Sequence, residues 1–321
     1  MNVTVTNLIP EAGVKLLRDA GLQVKMPAQD GCPERGEVLK QIAGADAVVT
    51  LLTDRVDDEF LDAAGPQLQI VANVAVGYNN IDVAACAARG VTVTNTPTVL
   101  TEATADLAFA LILAATRRLG EGERLIRSGQ EWQWGMFMML GSGLQGKNLG
   151  IVGAGNIGLA VARRARAFGM NVWCYEPNEI PPEQVEALAI TKVGFDELLR
   201  ESDVISVHCP LTADTRHLIG AAQFEQMKPG AYLVNSARGP IVDEQALVQA
   251  LESGRIAGAG LDVYENEPVV PESLRRLENV VLLPHLGSAT VETRDAMAAL
   301  AAQNVVNVVV KKTAPVTPVR G

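Results

Sequence analysis

Aromatic side chains are scarce in this chain: six phenylalanines, four tyrosines and three tryptophans amount to 4% of 321 residues. Any core must therefore be aliphatic and alanine-rich. With 48% hydrophobic residues there is enough apolar surface to exclude disorder as the main state. Cysteine is equally sparse. Cys32, Cys86, Cys174 and Cys209 form no C-x-x-C pair, which argues against a disulfide frame or a metal site and for reduced thiols in a cytoplasmic protein. Positive charge is in deficit, 27 Lys and Arg against 37 Asp and Glu for a net −10, so a general nucleic-acid binder and a polybasic membrane protein are both disfavoured. A small anionic ligand would need donors gathered locally against that field. The longest apolar run, Leu107–Ala115, falls far short of the ~20 residues that span a bilayer. The start, MNVTVTNLIPEAG, lacks the basic stretch and apolar run of a signal peptide.

What is present is alternation. Short aliphatic runs at Val3–Asn7, Ala47–Leu52, Ile70–Asn73 and Val91–Thr94 are separated by helical patterns at Glu11–Ala20, Gly36–Ile42 and Val83–Arg89, the signature of parallel βαβ units. A second such series begins at Lys147, with strands at Asn148–Val152, Asn171–Tyr175, Val204–His208, Tyr232–Asn235, Gly258–Asp262 and Val280–Leu283. Its helices are expected at Asn156–Phe168, Gly194–Glu201, Ala221–Met227 and Glu244–Ser253, and a last helix at Thr290–Val309 has the length to cross back onto the first unit. The domains so predicted are 1–98 with 287–321, and 99–286. Between the two series, Thr101–Arg118 is a helix apolar enough to suggest a domain or subunit interface. The stretch EWQWGMFMMLGSG that follows holds two of three tryptophans and three of eight methionines, as a buried connection or as an arm on a partner subunit. A faint internal echo relates VANVAVG (71–77) to LVNSARG (233–239): in each, an Asn ends a strand and a Gly follows four residues on.

The segment LGIVGAGNIGLAVARRARAFGM sets Gly153, Gly155 and Gly158 as G-x-G-x-x-G between an aliphatic strand and an alanine-rich helix, the context in which the motif has meaning. The three glycines permit a tight turn, close approach of a pyrophosphate and close strand–helix packing; Asn156 and Ile157 belong to the same loop. Glu176, at the end of the next strand, stands where a carboxylate accepts both ribose hydroxyls of NAD and repels a 2′-phosphate, which favours NADH over NADPH.

Three histidines are available for proton transfer near neutral pH. His217 lies in a polar stretch and reads as a surface or packing residue. His208 ends a strand and is either part of a cofactor site or a satisfied histidine. His285 follows VVLLP and precedes a Leu-Gly-Ser turn, a position suited to chemistry. Arg238, between a strand end and a glycine, could bind a carboxylate bidentately or make a structural salt bridge. Asp262 could bond a carboxamide, and Glu267 alone reads as solvent-exposed.

Six ordered motifs, NVAVGYNNID, GIVGAGNIG, HCPLTADTRHLIG, NSARGPIVDE, GLDVYENEP and LLPHLGSAT, make nearly the whole chain resemble the D-isomer-specific 2-hydroxyacid dehydrogenases. The resemblance implies an α/β protein of two Rossmann-like domains, a flavodoxin-like substrate domain and a doubly wound dinucleotide-binding domain, with a deep cleft between them, assembled as a homodimer. It implies that His285 exchanges the proton, that Glu267 stabilises its imidazolium, and that Arg238 holds the substrate's carboxylate and keto oxygen. It implies that the amides of Val76 and Gly77 grip the carboxylate, and that Asp262 and Thr104 orient the nicotinamide beside Ser236, Ala237, Arg238 and His285. His208, Pro210 and Thr215 would line the adenosine and pyrophosphate side. The stretch WGMFMMLGSGLQGKNLGIVG is similar to glyoxylate/hydroxypyruvate reductases and implies that Trp134 of the partner subunit reaches the substrate pocket. Many of those reductases use NADPH, a pattern from which Glu176 departs. Short D-3-phosphoglycerate and D-lactate dehydrogenases, and, in a different class, NAD-sensing corepressor-like modules, share the architecture.

Overall fold

The aliphatic runs of the first hundred residues become parallel strands flanked by helices. They form β1 (Asn2–Val5), α1 (Glu11–Asp19), β2 (Gln23–Lys25), α2 (Arg35–Ile42), β3 (Ala47–Thr50), α3 (Asp58–Ala64), β4 (Ile70–Asn73), α4 (Val83–Ala88) and β5 (Thr92–Thr94) in the computed structural model, which describes residues 1–319. The sheet order is β2-β1-β3-β4-β5, every pair parallel, the flavodoxin-like arrangement. All four residues of β3 and of β4 are buried, as central strands covered on both faces require. Asp57 and Asp82 start α3 and α4 by accepting the amides of Phe60 and Ala85.

The second unit runs α5 (Thr101–Thr116), α6 (Leu119–Ser128), β6 (Asn148–Val152), α7 (Asn156–Ala167), β7 (Asn171–Tyr175), α8 (Pro182–Leu188), β8 (Ile190–Lys192), α9 (Phe195–Glu201), β9 (Val204–Val207), α10 (Ala221–Gln226), β10 (Tyr232–Asn235), a 3₁₀ turn at Gly239–Ile241, α11 (Glu244–Glu252), β11 (Gly258–Leu261), α12 (Glu272–Arg275) and β12 (Val280–Leu282). Its seven parallel strands are ordered β12-β11-β10-β9-β6-β7-β8. Counted from β6, the order is that of the doubly wound dinucleotide fold with one strand added, and direction reverses between β6 and β9. The final helix α13 (Val291–Val305), continued as a π-helix to Lys311, packs on α1 and β4 of the first unit. Contacts thus group Met1–Leu100 with the chain from Ser288 on, and Thr101–Gly287 separately.

Within the second unit α5 packs against α7 and against β10 and β11, and Leu111 and Ile112 are fully buried there. The stretch after it is no buried connection. α6 leads into an irregular segment whose Trp134 and Phe137 are 77% and 87% exposed. No helix among the described residues is long and apolar enough to cross a membrane.

Candidate active site

Every strand of a parallel sheet ends on the same side, so residues that follow β6, β7, β9, β10, β11 and β12 gather at one edge of the second unit. Those residues are Gly153, Glu176, His208, Ser236–Arg238, Asp262 and His285. The first loop assigns each glycine a different reason. Gly153 has φ +96°, and a Cβ there would lie 2.5 Å from the Cys209 amide; one on Gly158 would lie 2.1 Å from the Gly153 carbonyl oxygen. Gly155 is exposed, and a Cβ there would meet nothing within 4 Å. The fold itself therefore needs Gly153 and Gly158. The space at Gly155, beside Asn156 and Ile157 in the first turn of a twelve-residue helix, is a cradle for an anion against amides and the positive helix end. Gly158→Ala is expected to cost about 3 kcal/mol of stability by overpacking, whereas Gly155→Ala should leave the melting temperature unchanged and weaken dinucleotide binding. Thermal unfolding and a fluorescence titration of NADH separate the two.

Glu176 reaches this loop directly: Oε2 accepts the Ala154 amide at 3.0 Å, and Oε1 accepts the Asn178 amide and side chain at 3.1 and 2.9 Å. Lys192, arriving from β8, donates to the Asn178 carbonyl at 2.6 Å. Pro210 and Thr215 close one turn, the Thr215 hydroxyl donating to the Pro210 carbonyl at 2.7 Å. Ser236 carries a buried hydroxyl oxygen with no hydrogen-bond partner, a group that a bound polar ligand would satisfy. An open glycine cradle, a carboxylate bonded to the glycine loop and an orphaned hydroxyl along one edge fit a dinucleotide.

His208 is hydrogen-bonded to Ser206 at 2.8 Å, and burial pulls its pKa from 6.5 down to about 4. Between those values the unfolded chain binds a proton that the native imidazole refuses. Stability therefore falls as pH drops through that window, by up to about 3 kcal/mol. His208→Asn should flatten the dependence of chemical-denaturation midpoints on pH between 6.5 and 4.

At the other end of the edge, Asn235 closes β10 and clamps the loop beyond it. Its side chain accepts the Ala237 amide at 3.0 Å and donates to the Arg238 carbonyl at 2.9 Å. Gly239 then packs so closely that a Cβ would lie 1.9 Å from the Tyr264 carbonyl carbon, which presses the Arg238 turn onto the Glu267 loop. Arg238 is half-buried, and desolvation lowers its pKa against the opposing pull of Glu267. The Glu267 carboxylate accepts the Tyr264 amide at 3.0 Å on Oε1 and meets His285 Nδ1 at 2.8 Å through Oε2. Burial alone would raise the Glu267 pKa; the His285 hydrogen bond and charge, the Tyr264 amide and Arg238 outweigh it and hold the carboxyl below its usual range. An anion on Nδ1 leaves Nε2 for proton exchange and stabilises the imidazolium.

His285 itself has φ +56°, a left-handed conformation that a non-glycine residue adopts under constraint. The constraint is Asp262, fully buried, which accepts the Leu286 and Gly287 amides at 2.6 and 2.8 Å on its two carboxylate oxygens while its carbonyl accepts the His285 amide at 2.9 Å. Buried Thr104 adds a hydroxyl bond to the Gly287 carbonyl at 3.0 Å. Asp262 and Thr104 are thus anchors of the His285 loop, a role their positions in the sequence did not suggest. In the first unit, Val76 and Gly77 follow β4 and are half-buried.

The family model described as "D-isomer specific 2-hydroxyacid dehydrogenase, NAD binding domain" matches residues 109–287. A glyoxylate reductase of Thermococcus litoralis is 50% identical over 309 residues, covering 95% of this chain and 92% of that protein. The chain belongs to the D-isomer-specific 2-hydroxyacid dehydrogenase family. Among solved structures, a Thermus thermophilus protein superposes with a TM-score of 0.93 at 42% identity over 100% of both chains. An NADPH-dependent glyoxylate/hydroxypyruvate reductase of Sinorhizobium meliloti, solved with NADP and malonate, superposes with a TM-score of 0.87 at 36% identity, covering 99% of this chain and 96% of that one.

As a member of this family the protein is an oxidoreductase with a nicotinamide-dinucleotide-binding domain. Sequence reasoning missed Asn235, Tyr264 and Lys192. Asn235 carried a signal, the echo with Asn73. Tyr264 acts through its backbone amide, which any residue would supply, and Lys192 lies 16 positions from Glu176, adjacent only because β8 pairs with β7. Among the described residues, no group of three or more His, Cys, Asp or Glu side chains could hold a metal ion.

Proposed function

We propose that this chain reduces glyoxylate or hydroxypyruvate to the 2-hydroxy acid, D-configured where the carbon is chiral, with NADH, and runs the reverse reaction, as a cytoplasmic homodimer. One observation carries the reading: an imidazole held by a carboxylate and a half-buried guanidinium stand at the ends of β12 and β10 in the sheet whose first loop is a dinucleotide cradle. Relatives named glyoxylate reductase support the substrate, and thiols with no disulfide partner fit a reducing compartment.

In this reading Gly153, Gly155, Asn156, Ile157 and Gly158 hold the pyrophosphate, Glu176 the ribose, and His208, Pro210 and Thr215 the adenosine side. Ser236, Ala237, Asp262 and Thr104 flank the nicotinamide, and Val76 and Gly77 bind the substrate carboxylate. When bound, the reduced cofactor supplies a hydride to the keto carbon. The residues do the rest. Arg238 stabilises the negative charge that grows on the keto oxygen, and His285 gives that oxygen a proton from Nε2 while Glu267 stays ionised against Nδ1. The deficit of positive charge overall is no obstacle, because Arg238, His285 and backbone amides form the local donor cluster that an anionic substrate needs.

Dimerisation is supported by the apolar surface of residues 119–140. Leu119, Ile126, Trp132, Trp134, Met136, Phe137 and Leu140 are each more than half exposed, a patch that a lone soluble subunit would rarely leave in water. Trp134 of the partner subunit belongs to the proposed substrate pocket.

The preference for NADH rests on Glu176, with Lys192 the nearby cation that would welcome a 2′-phosphate once the carboxylate is gone. Glu176→Ala is expected to raise KM for NADH about tenfold and to narrow the gap to NADPH; unchanged cofactor kinetics would remove Glu176 from the site. The function is tested by a panel of glyoxylate, hydroxypyruvate, pyruvate, phenylpyruvate and phosphohydroxypyruvate, each with NADH and NADPH. Highest kcat/KM for glyoxylate or hydroxypyruvate with NADH, and D-glycerate from hydroxypyruvate, are expected. Preference for phosphohydroxypyruvate or pyruvate would move the chain to another branch of the family, and binding of NADH without useful turnover would point to a sensing module.

A further inference from the structure

A peptide unit is planar and trans, so a hydrogen bond to its carbonyl also fixes the direction of the amide on its far side. Two successive peptides after β4 are held in this way. The Thr96 amide donates to the Ala75 carbonyl at 2.8 Å, which orients the Val76 N–H, and the Asn95 side chain donates to the Val76 carbonyl at 2.8 Å, which orients the Gly77 N–H. Among the described residues neither of these two amides has a protein acceptor. A third clamp, from the Asn73 side chain to the Gly77 carbonyl at 3.1 Å, closes the loop.

Asn95 is itself locked from the far end of the chain. The segment 316–319 lies antiparallel on the edge of β5: Thr94 pairs with Pro318, and the Val319 amide donates to the Val93 carbonyl at 2.8 Å. Within it, the Thr317 hydroxyl donates to the Asn95 carbonyl at 2.6 Å and accepts the Asn304 side chain at 2.8 Å. Asn304, on α13, has no exposed surface, and its carboxamide oxygen accepts the Val316 and Thr317 amides at 2.7 and 3.1 Å. A fully buried asparagine is costly unless its groups are satisfied, and here all of its partners lie in this strap.

We infer that Asn95, held by the Asn304–Thr317 strap, is a positioning residue that aims the Gly77 amide at the substrate carboxylate. The inference rests on the carboxylate-binding role proposed for Val76 and Gly77. Asn95 touches no reacting atom; it sets the tilt of a donor that does. Losing the clamp therefore weakens the keto acid and leaves the dinucleotide alone.

The test measures KM for NADH and, separately, for whichever of glyoxylate and hydroxypyruvate the wild type reduces faster. Asn95→Ala is expected to raise the keto-acid KM about tenfold, the loss from one misdirected charge-assisted bond, with kcat within about threefold and the NADH KM within about twofold of wild type. Thr317→Val, remote and nearly isosteric, should raise the keto-acid KM about threefold, and Thr317→Ser should restore it. An unmoved keto-acid KM in both Asn95→Ala and Thr317→Val, or an NADH KM that rises in parallel, overturns the inference. If Asn95→Ala fails to fold, the Thr317 pair decides alone. A wild type that reduces no 2-keto acid overturns the proposed function and this inference with it; a normally active wild type with unmoved variants overturns only the latter.

Discussion

Replacing His285 with alanine is expected to lower kcat by about 10²–10⁴ while NADH binding persists, because the main loss is that of a positioned proton donor while the glycine loop still holds the dinucleotide. The geometry makes the expectation specific. His285 sits at φ +56°, pinned by Asp262 through three backbone amides, with Nδ1 committed to Glu267 at 2.8 Å. Neither of the other histidines can replace it. His208 is bonded to Ser206 and stays neutral down to about pH 4, and His217 is occupied with Glu265. The comparison is steady-state turnover beside a fluorescence titration of NADH. Turnover within a few-fold of wild type would remove His285 from the chemistry.

Arg238→Ala is expected to be as severe in kcat, about 10²–10³, and to raise the keto-acid KM as well. In the proposed reaction the guanidinium meets the substrate in the ground state through the carboxylate and in the transition state through the keto oxygen, so both parameters suffer. Arg238→Lys should rescue little, because a point charge cannot reproduce the planar two-bond contact. Burial lowers the pKa of this group and the Glu267 charge opposes that shift, so the guanidinium is held charged beside a carboxylate. A loss confined to KM would leave Arg238 as a binding residue only.

Much of this architecture is legible in the sequence because parallel sheets write themselves as aliphatic runs. β6, β7 and β10 begin and end where the patterning sets them, and the loops that follow strands carry the chemistry. β2 and β8 are not legible. Each is three residues long, at a sheet edge and largely solvent-facing, so neither shows an apolar run. α3 escapes the pattern although Asp57 announces it with a cap. The echo between VANVAVG and LVNSARG has a physical basis: β4 and β10 occupy equivalent places, each the second strand beyond the first strand of its sheet. Both end in an asparagine that ties down a following carbonyl, Gly77 in one and Arg238 in the other. What no pattern could reveal is the use made of Asp262. Its spacing suggests a ligand contact, whereas its carboxylate accepts the loop amides that strain His285 into place.

His285 and Arg238, in the proposed reaction, act on the same carbonyl in the same step. Values of kcat/KM for hydroxypyruvate in the wild type, His285→Ala, Arg238→Ala and the double variant test this directly. Groups that serve one transition state are strongly non-additive, so the double variant should lie within about tenfold of the worse single variant. A double variant slower by the full product of the two single losses would mean that the two residues work independently, and would contradict it.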